Sequence, residues 1–192
     1  MSGRTGARRP RSDAQRNVEA LLDAARRVFD TSGVDAPAKE ITDLAGVGVG
    51  TLYRHFPQRA DLVKAVVETG IDALADAGPQ LASEHPPVAA LTYWLDRFID
   101  LLATKRGLAS ALHSGNPAFD GLPGHFTHRL GPALAALLDA AVGDGAIRRD
   151  AVSAEDLLFA LPQLCRAASD ADLARGRRLV ALLVEGLRTG RP

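Results

Sequence analysis

The sequence predicts an all-α chain of about nine helices, and three observations carry that reading. Apolar residues recur at spacings of three and four through most of the 192 residues, which is the period of a buried helix face. No segment reads as a strand, and there is neither an internal repeat nor a sustained heptad run. Glycine- and proline-bearing stretches fall between the apolar segments, where helices start and stop. Hydrophobic residues make up 46% of the chain, enough to build a packed core.

Residues 1–16 are rich in Gly, Ser, Pro and Arg and hold no apolar anchor. They are expected to form a disordered basic arm, either a solvated tail or one that reaches nucleic acid. From Asn17 to Asp30 the pattern changes: Val18, Leu21, Leu22, Ala25, Val28 and Phe29 lie on one helical face. Gly33 suits a left-handed C-cap, and Pro37 suits the first turn of a short helix, Ala38 to Ala45, expected to bury Ile41 and Leu44. Gly46 ends it, and a third short helix runs from Val49 to about Phe56.

Pro57 opens a longer helix, about Gln58 to Ala77, with Leu62, Val63, Val66, Val67 and Leu74 inward. Gly78-Pro79 and His85-Pro86-Pro87 are expected to bracket a loop. Val88 to Lys105 keeps Leu91, Trp94, Leu95, Phe98, Leu101 and Leu102 in helical register, and a short helix follows around Leu108 to His113. The turn-rich stretch Ser114 to Gly124 leads to a helix from about His125 to Val142. Ser153 caps a helix from Ala154 to about Ala168, with Glu155 and Asp156 favourably placed in its first turn. The last helix runs from about Leu173 to Arg188.

Formal net charge is zero, with 23 basic and 23 acidic side chains, but the distribution is uneven. Residues 1–60 carry 10 Lys/Arg against 7 Asp/Glu, whereas the remainder carries 13 against 16. The excess is too weak to identify a nucleic-acid binder by itself. The single cysteine, Cys165, allows no intrachain disulfide and fits a reducing compartment. No apolar run approaches the roughly 20 residues of a membrane span, and the basic N-terminus has no apolar h-region after it. A cytoplasmic protein without membrane contact is expected.

The stretch AGVGVGTLYRHFP, Ala45 to Pro57, admits two readings. Its alternating glycines resemble part of a phosphate-binding loop. Such a loop follows a strand, whereas KEITDLA before it is helical; Thr51 stands where the third glycine would be, and no Gly-Lys-Ser/Thr is present. The second reading is a helix–turn–helix, with Gly46 supplying the positive φ of the turn and Leu44, Val47 and Leu52 locking the pair against the first helix. Its second helix, about eight residues and roughly 12 Å long, matches the width of a major groove. Gly50 permits close approach of the backbone, and Thr51, Tyr53 and His55 supply donors for phosphate oxygens and base edges. Arg59, in the first turn of the next helix, opposes the helix dipole unless an anion lies nearby, and a DNA phosphate is one such anion.

AGVGVGTLYRHFPQRADLVKAV resembles the hallmark of the tetracycline-repressor (TetR) family of bacterial transcription regulators: Ala-Gly-Val, a small or polar pair, Gly-Thr-Leu-Tyr, His-Phe, then a basic residue and a Leu. The specific resemblance covers about Asn17 to Val67. It implies an N-terminal three-helix DNA-binding domain, residues 17–57, and a C-terminal helical domain, residues 58–192, for ligand binding and dimerisation. By position, Thr51, Tyr53 and His55 are implied to contact DNA, the last two at phosphates. Arg59 keeps the charge of the family's usual Lys. Val49 and Gly50 take the base-facing start of the recognition helix, and Lys39 and Arg54 add contacts. Val49 and Gly50 offer apolar contact and close approach, leaving thymine methyls, Lys39 or Arg54 for direct readout. Thr42 departs from the Ala common in the family and is expected to alter the helix crossing slightly.

The resemblance also implies a small-molecule effector, a homodimer and a pseudo-palindromic double-stranded operator. Tyr93, Trp94, Phe98, Leu101, Leu112, Phe119, Phe126 and Leu130 are the candidate lining of an apolar cavity, with core packing as the alternative for each. Pro162, inside a helix, is expected to open space near Cys165. Leu157, Leu158, Leu161 and Leu164, with Leu179, Val180, Leu182, Leu183, Val184 and Leu187, are the candidate dimer face; ordinary intrachain core is the competing reading. The expected function is a repressor released by a largely apolar ligand, with an activator or ligand-independent regulator of the same fold as the alternative. A helical hydrolase using His113, Asp120 or His125 is a remote one. No catalytic residue, metal site or cofactor is expected: His125 and His128 lie three apart, but no third ligand is convincingly placed, and Cys165 among leucines and alanines packs as a small hydrophobe.

Overall fold

The computed structural model describes residues 10–104, 108–149, 152–165 and 170–188. Nine α-helices run through them: α1 Pro10–Ser32, α2 Ala38–Ala45, α3 Val49–His55, α4 Arg59–Glu84, α5 Pro87–Thr104, α6 Ala109–Leu112, α7 Leu122–Gly143, α8 Ala154–Leu164 and α9 Asp170–Leu187. A 3-10 turn, Pro117–Phe119, precedes α7. No strand occurs among the described residues, only an isolated antiparallel bridge between Ile147 and Arg188.

Helix α1 begins at Pro10, so residues 10–16, expected as part of a disordered arm, are its first turns. Proline suits a first turn because its missing N–H has no partner there, and Arg16 pairs with Asp13 one turn away. Residues 1–9 lie outside the described residues. Leu21, Ala24, Ala25, Val28 and Phe29 form the buried stripe of α1, on which Ile41 of α2 and Leu52 of α3 close.

Helix α4 is the spine between the two parts of the molecule, packing on α1 at its start and on α5 and α7 along its length. The expected stop at Gly78-Pro79 does not occur; α4 continues to Glu84 with Pro79 inside it. A proline in a helix interior costs about 3 kcal/mol and removes one backbone bond. Here Ala77, Gly78 and Leu81 are buried around it, and Gly78 sits against Ala133 of α7, where an added Cβ would stand 3.5 Å from the Ala133 methyl. Tertiary burial on both sides of Pro79 outweighs the local preference to stop.

The carboxy-terminal core lies between α4, α5 and α7. Trp94 is fully buried and donates its indole N–H to the Leu74 carbonyl at 2.9 Å. At the rim, Arg129 of α7 reaches across to α4, with Nε 2.6 Å from Asp72 Oδ1 and Nη2 2.8 Å from Asp76 Oδ1. These hydrogen bonds raise the already high guanidinium pKa. Helix α9 returns along α5, where Arg177 pairs with Asp100. Its end meets the α7–α8 connector, as Arg148 N donates to Leu187 O at 3.1 Å. Helix α8 starts at a capping box in which Ser153 Oγ accepts from Asp156 N at 3.0 Å. It stops at Leu164 with Cys165 as its C-cap; the rest of the span expected to Ala168 lies outside the described residues.

Candidate nucleic-acid interface and ligand chamber

Helices α2 and α3 meet at a left-handed glycine. Gly46 has φ 68°, and its N–H and that of Val47 turn back to Asp43 O and Thr42 O at 3.3 and 3.1 Å, closing the end of α2. A side chain at that φ would strain the turn. Gly48 then enters α3 from an extended conformation. Thr42 is buried at the α2 crossing, and its hydroxyl donates to Lys39 O at 3.1 Å, so its polarity leaves no unpaired donor.

Only Leu52 of α3 is buried. Val49, Gly50, Tyr53, Arg54 and His55 are exposed and Thr51 is half-buried, so the expected contact residues share an outward edge. Tyr53 is 52% exposed, a large amount for an aromatic side chain. Nothing lies within 4 Å of where a Cβ would stand on Gly48 or Gly50, so the start of α3 is an open, low-relief approach. Lys39 is on the exposed side of α2, but its ammonium pairs with Asp43. Leu44 differs from expectation: it is 52% exposed rather than locked inside, while Ile41 and Thr42 are the buried residues of the short helix.

Arg59 also differs from expectation. Its guanidinium is turned inward: Nε donates to Val34 O at 2.8 Å, and one terminal nitrogen donates to Val34 O at 2.6 Å and Ala36 O at 2.5 Å. Its Cζ lies 4.9 Å from the centre of the Phe29 ring. Burial lowers its pKa, and Asp35 and Tyr53 act in the opposite direction. The dipole at the start of α4 is met by Asp61, whose carboxylate accepts from Gln58 N at 2.9 Å in a capping box. No external anion is required there.

In the carboxy-terminal part, a cavity of about 580 Å³ opens between α4, α5, α6, α7 and α8. Leu112, Phe119 and Phe126 are in its wall, joined by Val67, Ile71 and Leu102, with His113 and Gln163 as the polar members. A second cavity of about 600 Å³ adjoins it on the α8 side, sharing Pro123, Phe126, Pro162 and Gln163. Pro162 therefore does border open space, although Cys165 is buried away from it against Gly176.

The other expected lining residues are elsewhere. Trp94, Phe98 and Leu130 are fully buried core, with the Phe98 ring 5.8 Å from both Trp94, which it meets at a tilt, and Phe126, which it meets edge-on. Leu101 fills the space beside Gly70, where its Cδ1 would stand 2.9 Å from an added Cβ. Tyr93 points outward and meets His85 edge-on at 4.7 Å. Trp94 and Phe98 face the core side of α5, towards α4 and α7, and are not part of the cavity wall.

The expected dimer face divides in two. Leu157, Leu158, Leu161, Val180, Val184 and Leu187 are buried within the subunit. Leu164 and Leu182 are exposed, the latter by 69%, and Leu179 and Leu183 are half-buried. Sequence reasoning missed Phe159, which is 79% exposed on α8.

The described residues contain no group of three or more metal-ligating side chains and no helix long and apolar enough to cross a membrane. His125 Nε2 stands 3.1 Å from Asp72 Oδ1 without hydrogen-bond alignment, and His128 is exposed. His113 and Asp120 are also exposed.

Residues 21–66 match the family described as bacterial regulatory proteins, tetR family, and residues 86–189 match the carboxy-terminal domain described as transcriptional regulator SbtR-like. A TetR transcriptional regulator of Streptomyces coelicolor is 36% identical, with 91% of this chain and 99% of that one covered and a TM-score of 0.75. A TetR regulatory protein of Mycobacterium vanbaalenii is 32% identical, covering 93% and 99% at a TM-score of 0.72. An HTH-type transcriptional regulator of Staphylococcus aureus is 28% identical over 108 residues, 55% of this chain; the match spans 58% of that relative's length.

Proposed function

The chain belongs to the TetR family of bacterial transcriptional regulators, and from that premise we propose that it is a homodimeric repressor that leaves its operator when a small, largely apolar ligand occupies the chamber behind Phe126. The family and these relatives are DNA-binding regulators rather than enzymes. The observation that carries the DNA-facing part of the proposal is the outward edge of α3. Val49, Tyr53, Arg54 and His55 are exposed there while Leu52 alone holds the helix to the core. Residues of those types, with Gly50 and Thr51 between them and Lys39 alongside, fit phosphate oxygens and base edges.

Phe159, Leu164 and Leu182 supply the apolar surface for a partner copy, with Leu179 and Leu183 at its margin. Two-fold symmetry would set two α3 helices about 34–36 Å apart, on successive turns of one face of a pseudo-palindromic site. In the chamber, a ligand meets mostly Leu, Val, Ile, Phe and Pro, with His113 and Gln163 for orientation. Val67 and Ile71 of α4 are part of that wall, and the same helix begins beside the DNA-binding domain. A ligand that favours a different setting of α4 by about 1–3 kcal/mol would weaken operator binding some 5–150-fold. The protein is expected to act in the cytoplasm, where its DNA lies.

The test is selection of duplexes from a random pool by the purified protein, followed by gel-shift titration of the selected site. Recovery of a pseudo-palindrome bound in the nanomolar range supports the proposal. Failure to enrich any sequence would end it.

A further inference from the structure

Arg59 is built into the chain as an internal clamp. Its fork of N–H groups makes three donations to the carbonyl oxygens of Val34 and Ala36, and its cation covers Phe29. Val34 and Ala36 are themselves buried, and they belong to the turn that joins α1 to α2. A side chain meant for an external phosphate keeps its donors toward solvent. This one spends three of its five on backbone acceptors 23 and 25 residues earlier in the chain.

The other side of the clamp faces the carboxy-terminal domain. A cleft of about 310 Å³ lies between Val34, Asp35 and Arg59 on one wall and Ser114, Asn116 and Phe119 on the other. Phe119 also lines the ligand chamber. One side chain thus borders both the chamber and the cleft that holds the clamp, and Val63 of α4 lies on the cleft one helical turn before Val67 on the chamber.

We propose that Arg59 is a positioning residue: it fixes the α1–α2 turn, and with it the setting of the helix–turn–helix, to the first turn of α4, and it does not contact a DNA phosphate. Movement of the chamber wall at Phe119 reaches the DNA-binding domain at this clamp. The operator-binding part of the test rests on the function proposed above; the clamp itself does not.

The variants are Arg59→Gln, which removes the charge, and Arg59→Lys, which keeps the charge but lacks the planar fork. Hydrogen exchange of the full-length protein is followed over residues 33–45 and, as a control, over α9. Binding to a duplex selected by the wild-type protein is measured from low to moderate salt. Both variants should exchange several-fold faster over residues 33–45 with α9 unchanged. Both should bind the duplex several-fold more weakly at every salt, along lines parallel to wild type. A phosphate contact predicts otherwise: Arg59→Lys binds like wild type, and Arg59→Gln lowers the slope of log K against log salt by about 0.9 for each subunit. Unchanged exchange, wild-type binding by Arg59→Lys, or that loss of slope each overturns the proposal. If the wild-type protein selects no duplex, the operator reading fails, and the exchange measurement alone still decides the clamp.

Discussion

The indole N–H of Trp94 on α5 donates to the carbonyl oxygen of Leu74 on α4 at 2.9 Å, with both side chains in the core. The bond sits one turn before Gly78 and Pro79, where α4 has lost the backbone bond that a proline cannot make. Trp94→Phe removes the donor and part of the buried ring. A net hydrogen bond contributes about 1 kcal/mol, and the lost volume adds a cavity term. The expected cost is roughly 2 kcal/mol, read from urea unfolding followed by circular dichroism. Because Trp94 is the only tryptophan, its fluorescence in the parent protein reports the α4–α5 contact directly, and ligand binding in the adjoining chamber should change it.

Tyr53 provides a test of the α3 edge. It is half-exposed on the outward edge of α3, so its hydroxyl is open to an oxygen acceptor. Tyr53→Phe should leave the melting temperature unchanged within a degree or two. Operator affinity should fall about fivefold for each subunit, the equivalent of about 1 kcal/mol. Because no charge is removed, the salt dependence should stay parallel to that of the parent protein.

The boundaries of α2 and the start of α3 were legible in the sequence because their signals are local: Pro37 before the first turn and Gly46 at a positive φ. What was illegible depended on distant parts of the chain. Pro79 reads as a stop, and only the burial of Gly78 against Ala133, 55 residues later, keeps α4 going. Arg59 reads as a free cation because its acceptors are backbone carbonyls, which leave no side-chain signature. Helices α8 and α9 have apolar stripes too wide to say which residues face the subunit's own core. Leu161 and Leu182 look alike in sequence, yet one is fully buried and the other exposed.

That contrast gives a prediction for assembly. Leu182→Asp and Phe159→Asp place a carboxylate on surfaces already open to solvent in the subunit, so each folded monomer should retain its helical content. At a two-fold interface the same change buries two like charges, at a cost of several kcal/mol. Sedimentation equilibrium should show the mass falling from about 40 kDa to that of the 20.2 kDa chain, with operator binding lost alongside. A dimer that survives both substitutions would place the interface elsewhere.

Asp96 gives a pH signature on the opposite side of α5. Burial raises its pKa above 3.8, the nearby Arg177 lowers it, and Asp100 raises it further. A carboxyl whose folded pKa is raised holds its proton more tightly in the folded state than in the unfolded one. Its contribution to stability is therefore present below the unfolded pKa and is lost as pH rises through the folded value. Asp96→Asn removes that loss. The variant should be as stable as the parent protein or slightly more so at pH 7, and the difference should shrink as pH falls toward 4. Urea midpoints at the two pH values measure it, and a variant destabilised at pH 7 would mean that the attraction to Arg177 dominates.

The chamber itself is tested by filling it. Leu112 lies on α6 at the cavity wall and is half-buried, so a larger side chain there has open space of about 580 Å³ to enter rather than packed core. Leu112→Trp replaces an isobutyl group by a larger indole without new charge, and overpacking of about 1–3 kcal/mol is expected only where no space exists. Stability should therefore change little. Binding of a neutral apolar dye such as N-phenyl-1-naphthylamine, followed by its fluorescence, should weaken at least tenfold. A second variant, Phe98→Leu, alters the core beside the chamber without entering it; it should lower stability by about 1–3 kcal/mol and leave dye affinity within a few-fold of the parent. Equal dye binding by Leu112→Trp and the parent protein would show that apolar ligands enter somewhere else.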